Sequence, residues 1–177
     1  GFEPGRVVTE RGALAADLAV LALGVAPNSA LAEDAGIGLG ARGAVAVDRQ
    51  QRASVPGVWA AGDSADTLDL VSGRRIHMAL GTVANRTARV AGINLGGGYA
   101  TFPGVVGTAV TRVCDTAIGR AGLTEAQARR AGFDYVAARI ESTGRAGYFP
   151  GADPLTCKLL AERGSGQRHG DIAVDRL

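Results

Sequence analysis

The chain has little charge, almost no cysteine and no long apolar run. Only 20% of its 177 residues are charged, the formal net charge is +2, and the arginines are scattered rather than massed. No nucleic-acid partner is expected from that pattern. The two cysteines, Cys114 and Cys157, stand far apart and outside any CxxC or metal-ligand spacing. Each reads as a small buried hydrophobe, and no metal site is expected. The apolar run from Leu18 to Val25 is too short to cross a bilayer, and no signal peptide is visible at the start. None of the 27 glycines forms a GxGxxG between a strand and a helix. The nearest candidate, Gly36-Ile37-Gly38-Leu39-Gly40, leads into an expected strand and is discounted. There is no internal repeat. A soluble, cytoplasmic protein without membrane contact is expected. Because the chain opens at Gly1 in sequence that reads as mid-domain, it is also expected to be incomplete.

What is present is a 46% hydrophobic, glycine-punctuated chain, which argues for a folded globular protein with many turns. Arg6 to Thr9 and Ala13 to Asp17, either side of Arg11-Gly12, read as a hairpin or edge strands. Leu18 to Leu23 reads as a strand buried on both faces, Ser29 to Ala35 as one or two helical turns, and Ala44 to Asp48 as a short strand. A polar loop is expected from Asp63 through Arg75. A helix should then run over 80–95 with a small-residue face of Val83, Ala84, Ala88, Ala91 and Leu95, stopped by Gly96-Gly97-Gly98. Beyond Pro103-Gly104, strands are expected over Gly107–Val113, Asp115–Arg120, Phe133–Ile140 and Leu155–Leu160. Between them Thr124 and Gln127 form a capping box that opens a helix ending near Gly132. Two units follow, 1–100 of α/β type and 101–177 of α+β type, with the boundary around Gly97 to Gly104.

The most informative stretch is Val58-Trp59-Ala60-Ala61-Gly62-Asp63. An apolar strand ending in Gly-Asp delivers a carboxylate to its carboxyl end, where open α/β sheets present groups to ligands. A carboxylate there accepts hydrogen bonds from sugar or ribityl hydroxyls. From the hexamer alone, a strand followed by an ordinary Gly-Asp turn fits equally well. If the helix beginning near Leu80 points into the same crevice, its free N–H groups suit an electron-rich ring or an anion. Gly81 and Thr82 would let a planar ligand approach closely.

Several short motifs recur in a fixed order: Leu23-Gly24-Val25-Ala26-Pro27-Asn28, Gly43 to Asp48, Val58 to Asp63, and Leu80-Gly81-Thr82 with Asn85-Arg86. Together they resemble the carboxyl half of the FAD-dependent pyridine nucleotide-disulfide oxidoreductases. Gly107-Thr108, Asp115, Thr116 and Gly122 to Glu125 resemble the dimerisation domain of that family. Ala146 to Gly151, followed by Cys157-Lys158-Leu159, is similar to the coenzyme A-disulfide reductase and polysulfide reductase side of the branch that also holds NADH oxidases and peroxidases.

The resemblance implies the second half of an FAD/NAD(P)-binding Rossmann-like domain followed by an α+β dimerisation domain. It implies FAD and NAD(P)H as cofactors, with electrons passing through the flavin and a cysteine to a disulfide, a persulfide or an oxygen-derived acceptor. Asp63 would meet the ribityl hydroxyls, with Gly62 leaving room for the chain. Backbone N–H groups near Leu80, Gly81 and Thr82 would face the pyrimidine side of the flavin, and Gly24 the nicotinamide nucleotide. In a homodimer Tyr148 would reach the small-molecule substrate as catalytic hydrogen-bond donor, while packing as an interface aromatic is the plainer alternative. An NADH oxidase, a ferredoxin-type reductase and a non-catalytic dimerisation module are the alternatives for the whole. Ala26 stands where the family has arginine, and the tail from Gly164 lacks the family's apolar strand. The family's dinucleotide fingerprint and redox cysteine would precede Gly1, so neither Cys114 nor Cys157 is expected to be that nucleophile. His77 reads as touching the substrate side or as structural. Such a fragment is expected to hold FAD poorly and not to turn over alone.

Overall fold

The computed structural model of the chain describes residues 1–166 and, for the strand at 168–176, the backbone. The chain opens in a three-stranded antiparallel meander, β1 (Phe2–Glu3), β2 (Arg6–Thr9) and β3 (Gly12–Ala15), as the Arg11-Gly12 turn signal predicts. The next apolar run departs from expectation. Leu18 to Val25 pairs with no strand among the described residues, and Leu18, Val20, Leu21 and Leu23 are 67–89% exposed. A strand buried on both faces exists only where neighbours flank it, and none flanks this one. Helix α1 (Ala30–Asp34) is the single turn and a half expected before Gly36.

The segments at 44–48 and 58–63 are likewise not regular strands. Val45 makes one antiparallel bridge to Leu39 and one parallel bridge to Ala65, and Trp59 bridges Arg52. Each pairing is a single-residue bridge, so no ladder propagates, although Val45, Val47 and Ala65 still form a small core with Ile37, Leu39 and Ala60. The polar loop expected after Asp63 contains a hairpin instead, β4 (Asp66–Leu68) with β5 (Arg75–His77). Its inner carboxylate, Asp66, is almost fully buried. It pairs with Arg75 and accepts the Val47 N–H at 3.3 Å. The distant partner makes the difference: without Arg75 a charged side chain there would face a large desolvation cost.

Helix α2 (Gly81–Leu95) begins and ends as expected, but its inner face is Val83, Thr87, Ala91 and Asn94 rather than one carrying Ala88 and Leu95. Asn94 is on the inner face because its amide donates to the Gln50 and Ala100 carbonyls, both at 2.9 Å, and its oxygen accepts the Ala100 N–H at 3.0 Å.

The carboxyl unit is a five-stranded antiparallel sheet in the order β6-β7-β10-β9-β8. Its elements are β6 (Ala109–Val113), β7 (Thr116–Gly122), α3 (Glu125–Ala131), β8 (Tyr135–Thr143), β9 (Pro154–Glu162) and β10 (Arg168–Arg176). The capping box at Thr124 and Gln127 is formed, and Gly132 ends α3 at φ +88. Ala128 of α3 packs with Leu123 and Leu160 to make the core of this unit. The segment after Gly164 pairs on both sides as β10, between β7 and β9, so the tail continues the sheet by backbone pairing rather than by an apolar pattern. The side chain of His169 lies outside the described residues. Cys114 is exposed in the β6–β7 turn at φ +51, not buried in a strand, and Cys157 is half-buried on β9. Arg74 ties the β4–β5 hairpin region to the end of α3 by donating to the Arg130 and Ala131 carbonyls, at 2.9 and 3.1 Å.

Candidate functional site at the amino end of helix α2

Leu80 is the N-cap residue of α2, in extended conformation at φ −135 and ψ 132, with no side-chain cap. The N–H groups of Val83 and Ala84 turn back to the Leu80 carbonyl, each at 2.9 Å. Those of Gly81 and Thr82 have no partner among the described residues. The first turn contains no acidic residue. Among the described residues nothing therefore answers the positive end of the helix dipole, and two oriented donors remain free. A Cβ placed on Gly81 would meet no atom within 4 Å, so the backbone is open to a flat ligand.

These donors open onto a cleft of about 990 Å³ between α2 and residues 102–110, lined by Leu80, Thr82, Arg86, Phe102, Val105 and Val110 among others. The lining is chiefly apolar, and the Arg86 guanidinium, unpaired among the described residues, adds to the positive character of the helix end. A large apolar cleft with a few convergent polar groups is the usual form of a cofactor or substrate site.

Gly62 and Asp63 are brought to the same helix. They form a short 3₁₀ turn, Gly62–Ser64, that packs on α2. Gly62 is at φ +67, and its N–H donates to the buried Thr87 hydroxyl at 2.9 Å. The Thr87 hydroxyl in turn donates back to the helix, with Val83 O at 2.9 Å. A Cβ on Gly62 would come within 3.2 Å of the Ala84 Cβ. Asp63 is exposed, and its carbonyl meets His77 Nε2 at 2.8 Å, a bond in which that nitrogen carries the proton. His77 thus braces the turn from β5. Of the two readings of His77, this backbone contact is the structural one, whereas Thr87 does not stand out in the sequence as a functional residue. A β-branched hydroxyl among helical alanines was the available signal for Thr87.

The other two expected site residues lie elsewhere. Gly24 sits in the exposed 18–25 segment at φ +78, and Tyr148 is 85% exposed on the loop between β8 and β9, its ring tilted against Phe149 at 5.1 Å. Neither lines the α2 cleft. Among the described residues, no three of His, Cys, Asp and Glu converge as metal ligands, and no helix is long and apolar enough to cross a membrane.

The family model for the pyridine nucleotide-disulphide oxidoreductases matches residues 3–90, the region that holds this turn and the start of α2. The chain belongs to that family. It is 38% identical over 169 residues to the NAD(P)H sulfur oxidoreductase (CoA-dependent) of Pyrococcus abyssi, a match covering 96% of the chain and 38% of that relative. It is 40% identical over 157 residues to the NAD(P)H coenzyme A polysulfide/persulfide reductase of Pyrococcus horikoshii, covering 89% and 35%. Among solved structures it superposes on an NAD-dependent persulfide reductase from A. fulgidus with a TM-score of 0.90 at 41% identity, covering 97% of the chain and 32% of that protein. The chain thus spans between about a third and two fifths of the length of these relatives.

Proposed function

We propose that this chain supplies the ribityl- and pyrimidine-facing part of an FAD site in an NAD(P)H-dependent oxidoreductase acting on a disulfide or persulfide such as a coenzyme A derivative. The observation that carries the reading is the uncapped amino end of α2, with free N–H groups on Gly81 and Thr82, opening on a large apolar cleft beside the Asp63 turn. The residues fit the group. The two donors and the helix dipole complement an electron-rich ring edge, Gly81 leaves the close approach open, and Asp63 offers a free acceptor to hydroxyls. When bound, FAD would supply the hydride-accepting and electron-transferring chemistry.

The chain's own part is to orient and to tune. Gly62 and Thr87 hold the turn against α2, His77 braces it, and Asp63 fixes the polar tail of the cofactor. The N–H groups near Leu80, Gly81 and Thr82 favour negative charge on the ring edge that faces them. Gly24 would lie where the nicotinamide nucleotide approaches. In a homodimer formed through the carboxyl unit, the exposed Tyr148 would bring its phenol to the sulfur substrate as a hydrogen-bond donor. The relatives' names and the position of the family match support this assignment.

The test is Asp63→Ala in the flavin-loaded protein carrying this chain. Loss of one charged hydrogen-bonding partner should weaken FAD retention by roughly tenfold or more. Retention equal to the parent's would sink the assignment. Tyr148→Phe should leave retention alone and slow disulfide turnover.

A further inference from the structure

A second cleft, of about 160 Å³, lies between the β4–β5 hairpin and α3. Arg74 and Arg75 of the hairpin, Arg120 of β7, and Gln127 and Arg130 of α3 line it, together with Asp69. Most of these groups are already occupied. Arg75 is paired with Asp66, and Arg74 caps the carbonyls that end α3. The Asp69 carboxylate accepts the Val71 and Ser72 N–H groups at 3.2 and 3.3 Å, and the Ser72 hydroxyl as well. Arg120 and Arg130 are the exceptions: neither guanidinium has a hydrogen-bond or ion-pair partner among the described residues. Four arginines against Asp66 and Asp69 leave an excess of two positive charges around the cleft.

Arg120 is half-buried, so its charge has lost part of its hydration with no acceptor in return among the described residues. A guanidinium fork matches two oxygens of a carboxylate or phosphate in one plane. The volume equals about five waters at ~30 Å³ each, enough for a tetrahedral anion and a few bridging waters. We propose that this cleft is a binding site for a tetrahedral oxyanion, a phosphate or phosphoryl group held by Arg120 and Arg130 at the junction of the two units. The proposal does not depend on the flavin assignment, whose residues lie on the other cleft.

Orthophosphate titrated into the full 177-residue chain by calorimetry, at ionic strength held fixed with chloride, tests it. Saturable binding is expected, weakened roughly tenfold or more in Arg120→Gln. Arg130→Gln, whose exposed side chain leaves the fold intact, should weaken it several-fold. ADP that competes with orthophosphate identifies a nucleotide's phosphoryl group as a source, and ADP that does not compete identifies the free anion. Chloride and phosphate behaving alike, or both variants binding as the parent does, would overturn the proposal.

Discussion

At the scale of single residues, the site depends on contacts that span sequence. Gly62 combines a left-handed backbone with a close approach to Ala84, so a side chain there would be both strained and crowded. Gly62→Ala should destabilise the protein by about 1–2 kcal/mol from the positive φ alone, and should weaken flavin retention by shifting the turn off Thr87. Denaturant melts with a flavin-release assay check this. A variant as stable as the parent would show that the turn relaxes freely. The turn at Gly62 and Asp63 was legible because an apolar run ending in Gly-Asp is a local pattern. The bond from Gly62 to Thr87 crosses 25 positions, that from His77 to Asp63 crosses 14, and Asp66 finds Arg75 nine residues on. No local pattern encodes such partners, so the contacts that hold Asp63 in place were not legible.

At the scale of elements, α3 and the β2–β3 hairpin show where local sequence is sufficient. The capping box fixes the start of α3 and Gly132 its end, and both follow from residue types a few positions apart. Whether an apolar run becomes a strand, by contrast, is decided by its neighbours, and so 18–25, 44–48 and 58–63 read as strands without forming ladders. Helix α3 is fastened to the sheet through Glu125, which accepts from Lys158, from the Tyr135 hydroxyl at 3.0 Å and from Arg129 at 3.0 Å. These bonds, that from Lys158 first and that from Tyr135 second, hold the Glu125 carboxyl below its ordinary value of 4.5. A carboxyl lowered by folding stabilises the native state at pH above its ordinary value. That contribution fades as pH falls through the folded value. The parent should therefore lose its stability advantage over Glu125→Gln progressively below about pH 4.5. Melting temperatures of the two proteins from neutral to acid pH give the measurement, and a gap that does not narrow would refute the fastening role.

The whole molecule exposes far more surface than its size requires. Its accessible area is 11,662 Å², whereas a compact monomer of its 17.9 kDa mass exposes about 8,000 Å². The excess is partly apolar: Leu18, Val20, Leu21 and Leu23 in the opening unit, and Val110, Val113, Val136 and Ile140 on strands of the sheet. The residues Leu18 to Leu23 follow one another along one stretch of chain, and an exposed apolar run of that kind marks a contact region. The chain purified alone should bind a hydrophobic dye such as ANS and associate as its concentration rises, which sedimentation velocity would reveal. A dye-silent monomer would contradict the expectation.

The position of β10 has a consequence for how the protein is made. The strands β6 and β7 form one hairpin and β8 and β9 another, each able to pair as soon as it is synthesised, yet β10 lies between them. The two hairpins have no ladder to each other until that strand arrives. During translation the sheet waits open-edged until this strand has left the ribosome. Its closure is a long-range, late event. In that interval the unsatisfied inner edges of β7 and β9 are where a nascent chain is most exposed to pairing with the wrong partner.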